Sequence, residues 1–355
     1  MTVSDKAVRP GTAAAPVPAM AEYVDRLITV EMRNRGMPAD KIRHLYDAAR
    51  AEAGGPLAFR AAEGLARAVA RREPVLIVTG AGSGPLIPNG ENDGPVGAAT
   101  LARALQLGLG ALPILVCEQH HQGPVVASCH AAGIELRPLE IALAARVGGA
   151  AAIAPTEQAE VLSWAYRLFD ELHPSAVVAI ERLGPNEKGV IHGATGLSDW
   201  GPLVDLSPLF EIAGARGVFT VGVGDAGNEI GFGRIVDAVR SIQPYGAACQ
   251  CPCGAGMATV ISTDVLVVAA VSNWGVYGIE ACLAMLLERA DLIHNPDDAR
   301  RIILHCLESG GLEAMHCTRR FYVDGIQGEI SVNVVQMLNE MVRIHLEEPD
   351  RGAIH

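Results

Sequence analysis

Short, unbroken apolar runs alternate with stretches whose apolar positions recur at helical spacing. The runs lie at 74–79, 112–117, 176–180, 217–221, 258–262 and 265–271, with a shorter one at 134–136. Uninterrupted apolar runs of this length are expected of strands buried on both faces, as in a parallel sheet. Between them, helical patterns are expected near 96–108, 124–132, 156–172, 235–241, 277–287, 296–308 and 331–346. Ahead of the first run, Tyr23, Leu27, Ile28 and Met32 share a helical stripe, as do Ile42, Leu45 and Ala49, with a break at Gly36-Met37-Pro38. A third helix over 56–71 carries Leu57, Ala61, Leu65 and Val69. The Ala- and Gly-rich stretch 140–155 reads equally as a linker or a loose helix, and 323–326 reads as a turn. The order predicts an α/β fold, a mostly parallel sheet flanked by helices with an N-terminal helical segment. Residues 1–19 are expected to form a flexible tail and 20–355 one α/β domain, with helices over 20–72 and the sheet-and-helix core over 73–348.

Composition narrows this only a little. The chain has 355 residues, half of them hydrophobic, enough for a large core. Its net charge of −12 argues against a nucleic-acid partner held through phosphates. No apolar run is long enough for a membrane span, and the N-terminal stretch lacks the apolar centre of a signal peptide. The eight cysteines follow no disulfide framework, which points to a reducing, cytoplasmic setting. The alternate cysteines of Cys249-Gln250-Cys251-Pro252-Cys253 look like metal ligands or redox groups, but their close spacing departs from the usual zinc pairs and favours buried or half-buried thiols.

The run 217–221 leads into Gly222-Val223-Gly224-Asp225-Ala226-Gly227-Asn228-Glu229 and then a helix. Gly222, Gly224 and Gly227 match the dinucleotide pattern G-x-G-x-x-G. Asp225 and Glu229 oppose that reading, because their charges would repel a pyrophosphate, and no clean strand with an acidic end follows. Other acidic groups sit where runs end: Glu91 and Asp93 after the first, Glu118 after the second, and Glu181 after the 176–180 run. In an open parallel sheet those ends share one edge, where ligands bind. Carboxylates and the Asn228 amide are hard oxygen donors suited to Mg²⁺ or Mn²⁺. For Asp93, Asp225 and Asn228 the alternative is loop and cap hydrogen bonding.

Several other residues carry candidate chemistry. The long polar segment 186–205 holds His192 and Asp199, and a loop of that length is often functional. His192 serves as a base, a ligand or a surface residue. Asn273 falls where a strand run meets its helix. Arg319 and Arg320 are either a surface pair or carboxylate binders.

Four motifs together resemble the D-glutamate cyclase family in its C-terminal, catalytic-type domain. They are Glu91-Asn92-Asp93-Gly94-Pro95-Val96-Gly97-Ala98, Glu181-Arg182, the glycine loop from Gly222 to Gly231, and Val271-Ser272-Asn273-Trp274-Gly275. The likeness runs from about residue 20 to 345. It implies an enzyme that closes D-glutamate to 5-oxo-D-proline with loss of water, and a divalent metal such as manganese. Departures after Glu181-Arg182, at Cys249–Cys253 and at Met315-His316-Cys317 put D-glutamate itself in question. The expected activity is therefore a metal-dependent forming or opening of a cyclic amide from a small amino dicarboxylate. Glu91, Asp93, Glu118, Asp225, Asn228 and Glu229 are the expected metal ligands. Glu181, His192 and Asp199 are the acid–base candidates, and Arg182, Asn273, Arg319 and Arg320 the substrate contacts. A divalent-metal phosphate-ester hydrolase and a nucleotide-binding module are the alternatives. The expected partner is a small molecule, with room left for a homo-oligomer.

Overall fold

The computed structural model describes residues 16–33, 38–82, 84–198 and 203–347. In chain order, three helices come first: α1 (Val17–Ile28), α2 (Lys41–Ala53) and α3 (Leu57–Ala68). Then follow β1 (Pro74–Thr79), α4 (Pro95–Leu109), β2 (Leu112–Cys117), α5 (Gln122–Ala131), β3 (Leu136–Arg137), α6 (Leu139–Ala145), β4 (Gly149–Ile153), α7 (Gln158–Leu172) and β5 (Ala176–Ile180). The chain continues through α8 (Ser207–Arg216), β6 (Phe219–Gly224), α9 (Val236–Ile242), β7 (Val265–Val268), α10 (Ser272–Leu286), α11 (Pro296–Glu308), β8 (Tyr322–Val323), β9 (Ile326–Gln327) and α12 (Gly328–Leu346).

β1 to β7 form one parallel sheet in the order β3-β4-β2-β1-β5-β6-β7. The α/β expectation therefore holds, N-terminal helices included. Every residue of β1, β2 and β5 is buried, so alternate side chains serve opposite faces. Val75, Ile77, Val178 and Ile180 join the larger core, under α1 to α5 and α10 to α12. Leu76, Val78, Val177 and Ala179 join the smaller one, under α7 and α8. Burial on both faces is why these strands read as continuous apolar runs.

Two expectations change. The undecided stretch 140–155 is α6 followed by β4, whose residues Ala150 to Ile153 pair with β2 in the parallel ladder. Residues 258–262 form no strand; only Ser262 makes isolated bridges, to Gly231 and Phe232. Thr259 N–H instead donates to Gly227 O (3.2 Å), and Val260 N–H and Thr259 Oγ1 donate to Pro185 O (3.1 and 2.9 Å). The run is thus taken up in supporting the glycine loop. Of the expected tail, Pro16 caps the start of α1 and 17–19 lie within it, while 1–15 lie outside the described residues.

The chain turns from one side of the sheet to the other across β1 and β5, the place where open α/β sheets bind ligands. The segments leaving β1, β5, β6 and β7 converge there.

Candidate active site

A pocket of about 490 Å³ opens at this edge, lined among others by Arg33, Glu91, Glu181, Asp225, Asn228 and Asp324. Asp225 belongs to both acidic triads found here. One oxygen each of Asp93, Asp225 and Asp324 lie within 4.8 Å of one another, and so do oxygens of Glu181, Asp225 and Glu229.

The glycine loop has a use other than phosphate. A Cβ on Gly222 would meet Ile230 O at 2.3 Å, one on Gly224 would meet Glu229 Cβ at 2.9 Å, and Gly227 has φ +106°. The glycines let the chain fold back on β6, so that Glu229 faces its own loop. Its Oε1 accepts the N–H groups of Asp225 (3.2 Å) and Ala226 (2.9 Å), and its Oε2 that of Gly227 (2.7 Å). The amides that would cradle a pyrophosphate already hold a carboxylate.

Asp93 is held in a similar way. It accepts the N–H groups of Ser272 (2.9 Å) and Asn273 (2.8 Å), which open α10, and that of Gly94 (3.1 Å). An acidic group there satisfies free donors at a helix N-terminus and suits its dipole. Asn273 is a staple: its Oδ1 accepts Gly94 and Gly97 N–H (3.0 and 2.7 Å) and its Nδ2 donates to Asn92 O (3.1 Å). It fixes the start of α4 against α10 and is fully buried.

Glu181 has left-handed backbone at φ 47°, a strained state for a non-glycine residue, directly after β5. Its carboxyl accepts the Ser272 hydroxyl. Glu91, half-buried, faces the same pocket.

Arg33 and Asp324 have no counterpart in the sequence reading. Arg33 donates to Asp225 (2.8 Å), to Asp324 and to Ala270 O (2.7 Å). Asp324 and Gly325, at φ 46° and 76°, are the two central residues of the β8–β9 hairpin. Positive φ at both is the geometry that favours Asp-Gly, so the turn itself was legible and its carboxylate's destination was not. Lys41, fully buried, carries an Nζ without a hydrogen-bond partner, and its charge also bears on Asp225.

The electrostatics follow from burial of like charges. Burial and then neighbouring carboxylates raise Glu91 and Glu181 well above the ordinary range. The same causes, with Asp225 the main neighbour, push Asp93 and Glu229 up to about 7. Burial also raises Asp324, against the pull of Arg33. For Asp225 burial opposes ionisation, but Arg33 and Lys41 outweigh it and hold the carboxyl at about 2. One carboxylate is thus firmly charged amid groups whose protonated forms are favoured by burial and by one another's charge, a balance that a further cation would shift toward ionisation.

The donor set fits such a cation. Asn228 Nδ2 donates to His192 O (2.8 Å), which leaves Oδ1 as a buried acceptor with no partner, in a residue that lines the pocket. Carboxylate oxygens and an orphan amide oxygen are the ligands hard divalent ions take.

The remaining expected site residues lie elsewhere. Glu118, grouped with the ligands by sequence, is separated from them. Arg182 clasps it at 2.6 and 2.7 Å, His121 approaches it at 3.1 Å, and Val204 N–H donates to it at 3.2 Å. Burial opposes its charge, yet Arg182 and His121 win and hold it well below the carboxylate range. Both terminal nitrogens of Arg182 are engaged there and with Gly80 O and Val204 O, and Arg182 is not among the residues that line the pocket. The His192 ring faces cysteine sulfurs rather than the acidic cluster. Arg319 and Arg320 are exposed and outside the pocket lining. Asp199 lies outside the described residues. All eight cysteines are free thiols, and no helix among the described residues is long and apolar enough to cross a membrane.

Comparison with known proteins agrees with the motifs. Human mitochondrial D-glutamate cyclase is 34% identical over 119 residues, a match spanning 33% of this chain and 17% of that protein's length. The family model described as "D-glutamate cyclase-like, C-terminal" matches residues 34–339, which take in Asp93, Glu181, Asp225, Glu229 and Asp324. The chain belongs to the D-glutamate cyclase-like, C-terminal family.

Proposed function

We propose that this protein is a divalent-metal enzyme that closes a small amino dicarboxylate to a lactam, or opens it, with D-glutamate and 5-oxo-D-proline as the reference pair. One observation carries the reading: a pocket at the carboxyl edge of a parallel sheet walled by carboxylates, with an orphan Asn228 oxygen among them. Asp93, Asp225, Asp324 and Asn228 would hold the ion, with Glu181 and Glu229 beside them. When bound, Mn²⁺ or Mg²⁺ supplies positive charge that polarises the reacting carboxyl or lactam carbonyl.

The chain's own residues then orient and move protons. Arg33 is the cationic side chain that lines the pocket, and it sets the position of Asp225 and Asp324. Glu181, with its raised pKa and its place in the lining, is suited to hand a proton to the hydroxyl that leaves as water on ring closure. In the opening direction the same group takes a proton from the attacking water. Glu91 lines the same pocket and, ionised beside the bound cation, would take the proton from the attacking amine on ring closure. The free thiols suit a reducing compartment, and a cytoplasmic location belongs to this proposal.

The test is turnover of D-glutamate, L-glutamate and both 5-oxoprolines, with Mn²⁺, with Mg²⁺ and after chelation, beside a panel of phosphoesters. Metal-dependent interconversion lost in Glu181→Gln is expected. Phosphoester hydrolysis without any action on amino dicarboxylates or lactams would falsify the reading.

A further inference from the structure

A second cluster of ligating groups lies outside the acidic pocket. Cys249, Cys251 and Cys253 follow α9, and His192 belongs to the segment after β5, 59 residues before Cys251. One atom from each of the four lies within 4.8 Å of all the others. Cys249 Sγ is 3.5 Å from Cys251 Sγ and 3.3 Å from Cys253 Sγ. His192 Nε2 is 3.2 Å from Cys251 Sγ and 3.6 Å from Cys253 Sγ. A tetrahedral zinc ion, with bonds of about 2.3 Å to sulfur and about 2.0 Å to nitrogen, places sulfurs about 3.8 Å apart and sulfur and nitrogen about 3.5 Å apart. The four measured edges fall close to those spacings, whereas a disulfide would need sulfurs about 2.05 Å apart.

The surroundings are those of a ligand set. His192 Nδ1 lies 3.0 Å from Val190 O, which takes the ring proton and leaves the Nε2 lone pair aimed at the sulfurs. Asn186 Nδ2 donates to Cys253 Sγ (3.4 Å) and to Gly256 O (2.7 Å), fixing that thiol's loop. Three thiolates and one imidazole are a donor set for zinc and not for Mg²⁺ or Mn²⁺.

We propose that His192, Cys249, Cys251 and Cys253 form a structural zinc site, chemically distinct from the acidic pocket. Four protein ligands close the coordination shell, so the ion has no open position for substrate. Binding displaces the thiol protons to solvent, with no change of oxidation state. The site would join the segment after β5 to the one after α9. Both border the pocket, through Gly193, Ala194 and Thr195 on one side and Gln243, Pro244 and Tyr245 on the other. His192 O also accepts from Asn228, so the clamp reaches the acidic loop itself.

Full-length protein expressed in zinc-supplemented medium and dialysed is expected to keep one zinc per chain by elemental analysis. Exchange for Co²⁺ is expected to give tetrahedral d–d bands together with thiolate-to-cobalt charge transfer. The double variant Cys251→Ala/Cys253→Ala should lose both the zinc and the charge-transfer band, and Cys317→Ser should keep them. Zinc-free wild-type protein, cobalt spectra without thiolate charge transfer, or a Cys249–Cys253 disulfide in freshly prepared protein would each overturn the assignment. So would full zinc content in the double variant. If that variant does not fold, the wild-type zinc content and cobalt spectrum decide alone.

Discussion

Glu229 Oε2 accepts the backbone N–H of Gly227 at 2.7 Å, two residues away on the same loop. A carboxylate belonging to the chain thus occupies the place a dinucleotide's pyrophosphate takes in folds with a similar glycine pattern. Calorimetry with NAD or ATP, in metal-free buffer, is expected to show no binding. Glu229→Ala leaves three loop amides without their acceptor, and each orphaned donor costs about 1–3 kcal/mol. Thermal or urea unfolding should show a loss at the upper part of that range or beyond. A variant as stable as wild type would mean water replaces the carboxylate at no cost.

The acidic pocket sets a pH dependence whose sign can be worked out. Asp93 and Glu229 titrate near 7 in the fold, above their ordinary 3.8 and 4.5, so the folded state holds protons that the unfolded chain releases. Their contribution to stability is complete below about pH 4 and is lost as pH rises through 7. Asp225 acts in the opposite sense, and only as pH falls from about 4 to 2. Metal-free protein is therefore expected to lose stability between pH 5 and about 7.5. Mn²⁺ should restore it, by about 2.7 kcal/mol at 100-fold above its Kd. Unfolding midpoints measured across that range with and without Mn²⁺ check both arms. A cation effect that does not grow with pH would count against ligation by these carboxylates.

How far the sequence reveals this site depends on how each residue reaches it. Asp93, Glu181 and Asp225 follow parallel strands, and a parallel sheet brings all such ends to one edge, so their meeting was legible. Glu118 obeys the same rule and still lies apart, because Arg182 takes up both its oxygens. Strand ends fix an edge but not which acid finds a cation. Arg33 and Asp324 are 291 residues apart and meet through the packing of α1 and α12, which no local pattern records. The run 258–262 misleads for a related reason: only Ala258 and Thr259 are buried, Val260 and Ser262 are exposed, and its backbone bonds to Gly227, Gly231 and Pro185 rather than to a strand of the sheet. His192 likewise owes its neighbours to a contact far along the chain.

The arginines divide by environment. Arg182→Ala would strand Glu118 as an unpaired buried charge, a change that costs about 3–5 kcal/mol. It is expected to yield little folded protein, and any folded fraction should keep the wild-type KM. Arg320→Ala, at an exposed site, should move stability by no more than about 0.5 kcal/mol and leave KM unchanged. Arg33→Lys keeps a charge but loses the fork that spans Asp225 and Asp324, and should raise KM. Unfolding curves and steady-state kinetics of the three variants separate a structural guanidinium from a bystander and from one that shapes the pocket. A raised KM in folded Arg320→Ala would return substrate binding to the surface pair.

Asp324→Asn tests the acidic pocket with least disturbance to the fold. Asp324 and Gly325 form the two-residue hairpin, and Asn-Gly suits the same positive-φ turn as Asp-Gly. The substitution removes a carboxylate from the group around Asp225 and one of the two carboxylate partners of Arg33, which keeps Asp225, while the turn keeps its preferred residues. The raised pKa of Asp324 means that its charged form is disfavoured in the metal-free fold, so losing the charge should cost little stability without metal. Metal affinity depends on that charge and is expected to fall at least about tenfold. Mn²⁺ titration followed by calorimetry, beside unfolding in chelator, measures the two effects separately. Unchanged Mn²⁺ affinity in a well-folded Asp324→Asn protein would remove Asp324 from the ligand set and leave Asp93, Glu181, Asp225, Asn228 and Glu229 as the remaining candidates.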